Sequence, residues 1–236
     1  MHIPVWLDQN DCQFPDSRLA LLEPNGLLAV GGSLTTDTLL RAYRQGIFPW
    51  YSDDQPLLWW SPDPRAVLFP GQLHVSRSLR KTINSGRFSI TADQAFGRVI
   101  QACAAPRSTS DETGTWITSA MDAAYNQLHR LGYAHSIEVW QSGDLVGGLY
   151  GLALGRVFFG ESMFHRQRDA SKAGFVHLVR HLAGQGFKLI DCQQATTHLE
   201  SLGATTIPRN QFNELLQRYC HDDQFKPTWQ LSVSLP

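Results

Sequence analysis

No apolar run in this 236-residue chain reaches membrane-spanning length. The best candidate, Leu149 to Phe159, is cut by Arg156 and several glycines, and a spanning helix needs about 20 predominantly apolar residues. Met1 to Asp11 shows no basic start followed by an apolar block, so it does not read as a signal peptide. Cysteine is scarce: Cys12, Cys103, Cys192 and Cys220 stand far apart and form no CxxC pair. That argues against a disulfide framework or a cysteine-based zinc site and fits a reducing cytoplasm. The sequence has no GxGxxG, no P-loop and no GxSxG elbow, and the nine histidines are read as carrying no metal site. Dinucleotide-binding, nucleotide-hydrolase, serine-hydrolase and metalloenzyme readings therefore find no support.

A large charge of one sign is also lacking. Twenty Lys and Arg stand against 21 Asp and Glu, a formal net charge of −1. A protein that held nucleic acid by bulk charge would be basic. The local balance differs: between His74 and Arg107, Arg77, Arg80, Lys81, Arg87, Arg98 and Arg107 face one acid, Asp93. Such a patch could hold a few phosphates in a salt-sensitive way; on charge alone, an ordinary solvated helix face is the favoured reading. What the chain has in quantity is apolar residues, 42% against 17% charged, enough for a sizeable core.

Pattern along the chain predicts an α+β fold. The first sixty-odd residues are rich in Pro, Gly and Trp, with an apolar stretch at Leu27–Val30 and a helix near Asp37–Gln45 stopped by Gly46. Trp59-Trp60-Ser61-Pro62-Asp63-Pro64-Arg65 then breaks any element. We place a boundary there, giving a small N-terminal domain over 1–66 and a larger domain over 67–236. Thr118 or Ser119 can cap a helix carrying Met121, Tyr125, Leu128 and Leu131, ended by Gly132. His135–Gln141, Leu145–Ala153 and Val157–Phe164 read as an antiparallel meander, with turns at Ser142-Gly143-Asp144 and Gly155-Arg156. A helix from about Ser171 to Gly184 or Gly186, a strand at Phe187–Asp191 and a last helix with Phe212, Leu215, Leu216 and Tyr219 follow. Gly31-Gly32 and Gly147-Gly148 read as turns or bulges. Antiparallel strands, a helix and one more strand resemble the GNAT acyltransferase fold, with a mainly antiparallel sheet. That analogy does not fix function.

Three constellations could carry chemistry. Glu161, in Gly160-Glu161-Ser162-Met163-Phe164, would lie at the rim of a buried strand, where a lone carboxylate is costly unless paired or wet. It could bind a cationic group, or simply pair with Arg166 or Arg168, and spacing alone favours the pairing. Asp191 and Gln193 are two apart on a strand and face together, with Cys192 turned the other way as a core residue. They could orient a nucleophile and its proton; equally, Asp191 could cap the turn into Thr196–Ser201. Among the aromatics Trp50, Tyr51, Trp59, Trp60, Trp116, Phe158 and Phe159, core packing is the general expectation. Trp116 is set apart because it follows the polar loop Ser108–Thr115.

The ordered runs Pro24–Gly32, Gly46-Ile47-Phe48-Pro49-Trp50, Trp59–Arg65, Thr115-Trp116-Ile117, His135–Trp140, Gly160–Phe164, Ala170-Ser171-Lys172 and Asp191-Cys192-Gln193 together resemble the leucyl/phenylalanyl-tRNA–protein transferase family. Leu149 stands where the family pattern has Met, and Gln194-Ala195 where it has an aromatic. The resemblance implies a small N-terminal domain joined to a GNAT-like catalytic domain. It implies transfer of Leu, Phe and, less well, Met from aminoacyl-tRNA to proteins beginning with Arg or Lys, which then enter N-terminal-residue-dependent degradation. It implies a cytoplasmic, monomeric enzyme without cofactor, metal or membrane partner. Asp191 and Gln193 would be catalytic, with Asp191 holding Gln193 or the incoming amine and Gln193 orienting the amine or steadying the oxyanion. Glu161 would fix an acceptor or ribose group. Trp50 and Trp116 would stack on the terminal adenosine, Phe158 and Leu149 would line the side-chain pocket, and Tyr125 and Ser162 would complete the substrate site. Arg77, Arg80, Lys81 and Arg87 would meet tRNA phosphates. Two other readings remain: a GNAT acetyltransferase using acetyl-CoA, although Arg166-Gln167-Arg168-Asp169-Ala170 fills the place of its glycine-rich loop, and a non-catalytic module binding tRNA or N-terminal peptides.

Overall fold

A computed structural model describes residues 3–10, 12–105, 117–222 and 224–233. The N-terminal part holds β1 (Val5–Leu7), β2 (Leu27–Gly31), α1 (Thr36–Arg44), β3 (Phe48–Pro49) and β4 (Leu58–Trp60), whose strands form a small sheet in the order β1-β2-β4-β3. There follow β5 (Arg65–Leu68), α2 (Arg77–Asn84), β6 (Ser89–Ala92), α3 (Phe96–Ala104), α4 (Ser119–Arg130), β7 (Ala134–Gln141), β8 (Asp144–Leu154) and β9 (Val157–His165). The chain closes with α5 (Ala170–Gln185), β10 (Leu189–Gln193), α6 (Thr197–Glu200), β11 (Thr205–Ile207), α7 (Arg209–Tyr219) and β12 (Ser232–Val233). The eight strands from β5 onward make one sheet in the order β11-β5-β10-β9-β8-β7-β6-β12. Its pairs are antiparallel except β9 with β10. The fold is thus α+β with a mainly antiparallel sheet, as the pattern predicts.

Local chemistry sets the helix ends. Thr118 Oγ1 accepts from Met121 N–H at 3.2 Å and Asp122 sits in the first turn of α4, while Thr35 does the same for α1 through Thr38 N–H. α3 begins at Ala95, which has no capping side chain; the buried Glu138 on β7 accepts from Ala95 N–H instead, at 3.3 Å. α5 ends in a Schellman closure: Gly186 is left-handed (φ 91°), its N–H bonds Ala183 O, and Phe187 N–H bonds Leu182 O. That closure absorbs Phe187, which is why the next strand starts at Leu189 rather than at the predicted Phe187. Gly147 and Gly148 are not turn residues. They lie within β8, where a Cβ at 147 would fall 2.7 Å from Ala170 Cβ and one at 148 would fall 2.8 Å from Ile137 O.

The large sheet is covered on both faces. One face packs Phe96, Met121, Tyr125 and Phe212 together with Tyr43 and Trp59 from the N-terminal part, in one continuous cluster. The other face packs against α5, α2 and the C-terminal segment, with Phe158, Phe175, Val179 and Leu79 at its centre. α5 is buried at nine positions around its surface, consistent with cover on more than one side. The six cations between residues 77 and 107 do not form one patch. Arg77, Arg80 and Lys81 are exposed on α2, on the α5 side, whereas Arg98 lies on α3 across the sheet, over the Trp140 ring. Arg107 lies outside the described residues.

Candidate active site

Two bulges and a parting of strands create the site. The β8–β9 register runs Tyr150 against Ser162 and Gly151 against Gly160, so Glu161 is an extra, bulged residue. The β10–β5 register pairs Asp191 with Val67 and Gln193 with Ala66, so Cys192 is likewise extra, and Gln193 takes a left-handed φ of 59°. The parallel β9–β10 ladder pairs Ile190 with Phe158 and Asp191 with Phe159 and ends there. Beyond it β9 continues along β8 to His165 while β10 turns away. Glu161 and Gln193 meet in the gap.

Gln193 Nε2 donates to Glu161 Oε1 at 3.0 Å, and Tyr125 OH donates to Glu161 Oε2 at 2.9 Å. Tyr43, from α1, bonds Tyr125 hydroxyl to hydroxyl in a very short contact. Burial raises the Glu161 carboxyl to about 7, helped by nearby Asp191 and opposed by the tyrosine hydrogen bonds and by Arg65. Burial also pushes Tyr43 and Tyr125 well up, so both stay protonated and serve as donors. Arg166 and Arg168 do not pair with Glu161: Arg166 donates to Leu145 O, and Arg168 faces Asp169.

Asp191 caps no helix. It receives a bidentate pair from Arg65, Nε to Oδ1 at 2.8 Å and Nη2 to Oδ2 at 2.6 Å, with side-chain exposures of 1% and 0%. Arg65 Nη1 also donates to Gly46 O, and its guanidinium stacks between the Phe48 and Phe212 rings. The remaining capacity of Asp191 Oδ1 goes to Gln193 N–H at 2.9 Å. Fully enclosed and saturated, Asp191 can shape the backbone at Gln193 but has no surface left for an incoming amine. Cys192 is half-buried and burial raises its thiol far above the usual range, the opposite of an activated nucleophile.

The two faces of the gap differ in polarity. Tyr125, Tyr43, Glu161 and Gln193 lie on the α4 side. Leu149 and Met163 are cross-strand partners, as are Phe158 and Ile190, and all four belong to the cluster against α5. Glycines make this wall possible: a Cβ at Gly151 would lie 2.6 Å from the Phe158 ring, and one at Gly174 would lie 2.8 Å from Val139. Ser162, half-buried, faces Tyr150 across β8. Trp50 is 42% exposed, set edge-on to Trp60 with centroids 5.5 Å apart, and Trp60 Nε1 donates to Trp50 O. Its neighbour Tyr51 bonds Thr118 at the start of α4, which ties this aromatic ledge to the helix that bears Tyr125. Trp116 lies outside the described residues. Open hollows of about 590 and 610 Å³ occur between α1 and α7 and at the start of α3; neither includes Glu161 or Gln193. His177 and His181 stand one turn apart on α5, but no group of three metal-ligating side chains occurs among the described residues.

Residues 67–217 match the family model described as leucyl/phenylalanyl-tRNA protein transferase, and residues 32–63 match the model of its N-terminal domain. The chain belongs to this family. Leucyl/phenylalanyl-tRNA–protein transferases of Stutzerimonas stutzeri (63% identical over 90% of this chain and 93% of the relative) and Pseudomonas aeruginosa (62%, over 91% and 94%) are among its relatives. That of Pseudomonas fluorescens is 58% identical over 95% of this chain and 98% of the relative. Two solved structures align distantly. That of L-PGS from Bacillus licheniformis gives a TM-score of 0.42 at 11% identity, over 87% of this chain and 66% of that one. A GCN5-related N-acetyltransferase-like protein from Streptococcus suis gives 0.37 at 16% identity, over 73% and 64%.

For a member of the leucyl/phenylalanyl-tRNA–protein transferase family, the site holds two residues that sequence patterning does not single out. Arg65 follows a proline pair and looks like a linker cation; only the fold shows it pairing with a residue 126 positions away. Tyr43 looks like a core aromatic on an amphipathic helix, and its hydroxyl finds Tyr125 across 82 residues.

Proposed function

We propose that this chain transfers Leu, Phe and, less well, Met from aminoacyl-tRNA to proteins with N-terminal Arg or Lys. The product enters N-terminal-residue-dependent degradation, and the enzyme acts as a cytoplasmic monomer. Family membership supports the transferase class. One observation carries the acceptor side: Glu161 is a carboxylate held by the neutral donors Gln193 and Tyr125, with no cation bonded to it among the described residues. Such a group is completed by a cationic ligand, and an N-terminal ammonium is one. Among the described residues no helix is long and apolar enough to cross a membrane.

In this reading the acyl side chain enters the gap on the apolar side, along Phe158 and Leu149, and the ester carbonyl sits near Gln193. The pocket rejects charged residues by desolvation but separates Leu from Met by only about 1–3 kcal/mol. Because a carboxylate only accepts, the Gln193 amide presents Nε2 to Glu161 and leaves its oxygen to accept from the attacking amine. The amine, with a free pKa of about 7.7–8.0, is partly neutral at pH 7. Its nitrogen attacks the ester carbon, the carbon–oxygen bond to the ribose breaks, and the amine proton passes through the vicinal ribose hydroxyl to the leaving oxygen. Trp50 and Trp116 stack on the terminal adenosine, Tyr125 and Ser162 support the substrate groups at Glu161, and Arg77, Arg80, Lys81 and Arg87 meet backbone phosphates. Asp191 acts as a positioning residue, fixing Gln193 through its N–H. The test is transfer of radiolabelled leucine from tRNA to peptides that begin with Arg, Lys or Ala. Incorporation into the first two and not the third is expected; acetyl transfer from acetyl-CoA in its place would favour the acetyltransferase reading.

A further inference from the structure

Behind the apolar wall of the gap lies an aromatic stack that the acyl-transfer chemistry does not touch. Trp229, half-buried in the segment after α7, lies flat on His135, with ring centroids 3.8 Å apart and planes 8° apart. Its indole also meets Phe158 at 5.9 Å, His181 at 5.8 Å and Phe187 at 6.2 Å between centroids. Side chains from β7, β9, α5 and the turn into β10 thus converge on one residue.

Both members of the stack are anchored. His135 is buried and hydrogen-bonded at both ring nitrogens, Nδ1 with Asp93 Oδ2 at 2.7 Å and Nε2 with Gly132 O at 3.1 Å. Asp93 is itself fixed, because its Oδ1 accepts from Ser136 N–H at 2.8 Å. The chain on either side of Trp229 is held as well. His181 Nε2 donates to Thr228 O at 2.7 Å, Gln185 bonds both the Thr228 hydroxyl and its N–H, and Ala92 N–H donates to Leu231 O at 3.1 Å. These bonds leave the indole little freedom to move off His135.

Position gives the stack a consequence for the donor. His135 and Phe158 are each the second residue of their strands, β7 and β9, which run in the same direction because both are antiparallel to β8. Glu161 lies three residues further along β9, on the order of 10 Å away. Seen from the gap, Phe158 is the wall and Trp229 stands behind it. The buried Phe158 ring lies against the Gly151 backbone, where a Cβ would be 2.6 Å from it, and Ile190 is its neighbour on β10. Gly151 and Ile190 are fixed by the strand ladders. Trp229 is the neighbour whose loss opens space for the ring to swing away from the gap, as a side chain does when a cavity is made beside it.

We propose that Trp229, stacked on His135, is a positioning residue for donor selection: by holding the Phe158 ring toward the gap it sets the depth of the pocket that takes the aminoacyl side chain. The inference rests on the reading of Phe158 as a wall of that pocket. Its test is the ratio of kcat/KM for phenylalanyl-tRNA to that for leucyl-tRNA, with an Arg-starting peptide as acceptor. In Trp229→Ala the ratio rises on the order of tenfold, because a deeper pocket favours the larger side chain. Trp229→Leu, which keeps apolar cover but offers His135 no flat face, raises the ratio to a smaller extent and serves if the alanine variant does not fold. Trp229→Phe keeps the ratio of the unaltered protein. Phe158→Leu raises the ratio by itself, and adding Trp229→Ala to it brings no further rise, since the indole acts through that ring. A ratio that is unchanged or lowered in the alanine and leucine variants, or an additive rise in the double variant, overturns the proposal. Equal slowing of both donors is an unchanged ratio and makes Trp229 a packing residue. An unchanged ratio in Phe158→Leu alone would instead overturn the reading of Phe158 as the pocket wall.

Discussion

Gln193 and Glu161, from neighbouring strands and 32 residues apart, are joined by a side-chain hydrogen bond of 3.0 Å in the gap where those strands part. Each owes its position to a bulge, and among the described residues the carboxylate is hydrogen-bonded by neutral donors. In the proposed reaction this pair receives the acceptor amine.

The ionised form of Glu161 is the one that binds an ammonium, so kcat/KM should rise as pH passes through about 7, the value to which burial lifts this carboxyl. In Glu161→Gln the limb near 7 should vanish, leaving only the later rise set by the acceptor amine at about 7.7–8.0, and activity at pH 8 should fall by on the order of 10²-fold. A pH profile of the variant that still rises near 7 would remove Glu161 from the role.

The same shift makes a stability prediction. A carboxyl raised in the folded state favours folding when protonated; its contribution is full below the unfolded value of 4.5 and is lost as pH rises through about 7. Thermal melts should therefore show the unaltered protein losing stability relative to Glu161→Gln between pH 5 and pH 8. Parallel curves would contradict it.

Arg65 and Asp191 form a buried, bidentate ion pair. Removing one partner leaves a buried charge uncompensated, at a cost of about 3–5 kcal/mol. Asp191→Asn should lower the denaturation midpoint accordingly, and Arg65→Met/Asp191→Leu should recover much of the loss while activity stays low. Normal stability of Asp191→Asn would show that the pair is not what holds Gln193.

The legible part of the site was the part carried by local pattern. The β7–β9 meander, α4 with its Thr118 cap and α5 all follow from alternation, helical spacing and turn residues. The short strands β3, β4, β5 and β11 were not legible, because two to four residues give no period and their pairing is decided by distant partners. Alternation placed Asp191 and Gln193 on a common side, yet it could not show the bulge at Cys192 or the left-handed Gln193. Glu161 looked like a surface carboxylate for Arg166 or Arg168 because sequence proximity is a poor guide across a bulged strand. The pairing of Arg65 with Asp191 and of Tyr43 with Tyr125 exists only once the N-terminal segment has packed onto the sheet.

Trp50 offers an exposed indole beside Trp60. Stacking of one base is worth about 1–3 kcal/mol, so Trp50→Ala should raise KM for leucyl-tRNA by on the order of tenfold with little change in kcat. Steady-state kinetics that show a kcat effect alone would assign the residue to packing.

The central claim is that an N-terminal amine, poised at Glu161 and Gln193, takes an aminoacyl group from tRNA. The most direct measurement is a single-turnover assay of preloaded leucyl-tRNA with an Arg-starting peptide, comparing the unaltered protein, Gln193→Ala and Glu161→Gln. The account predicts one leucine joined to the peptide's α-amine, with both variants slowed while their affinity for leucyl-tRNA is retained. Leucine transfer at the unaltered rate in both variants would contradict it.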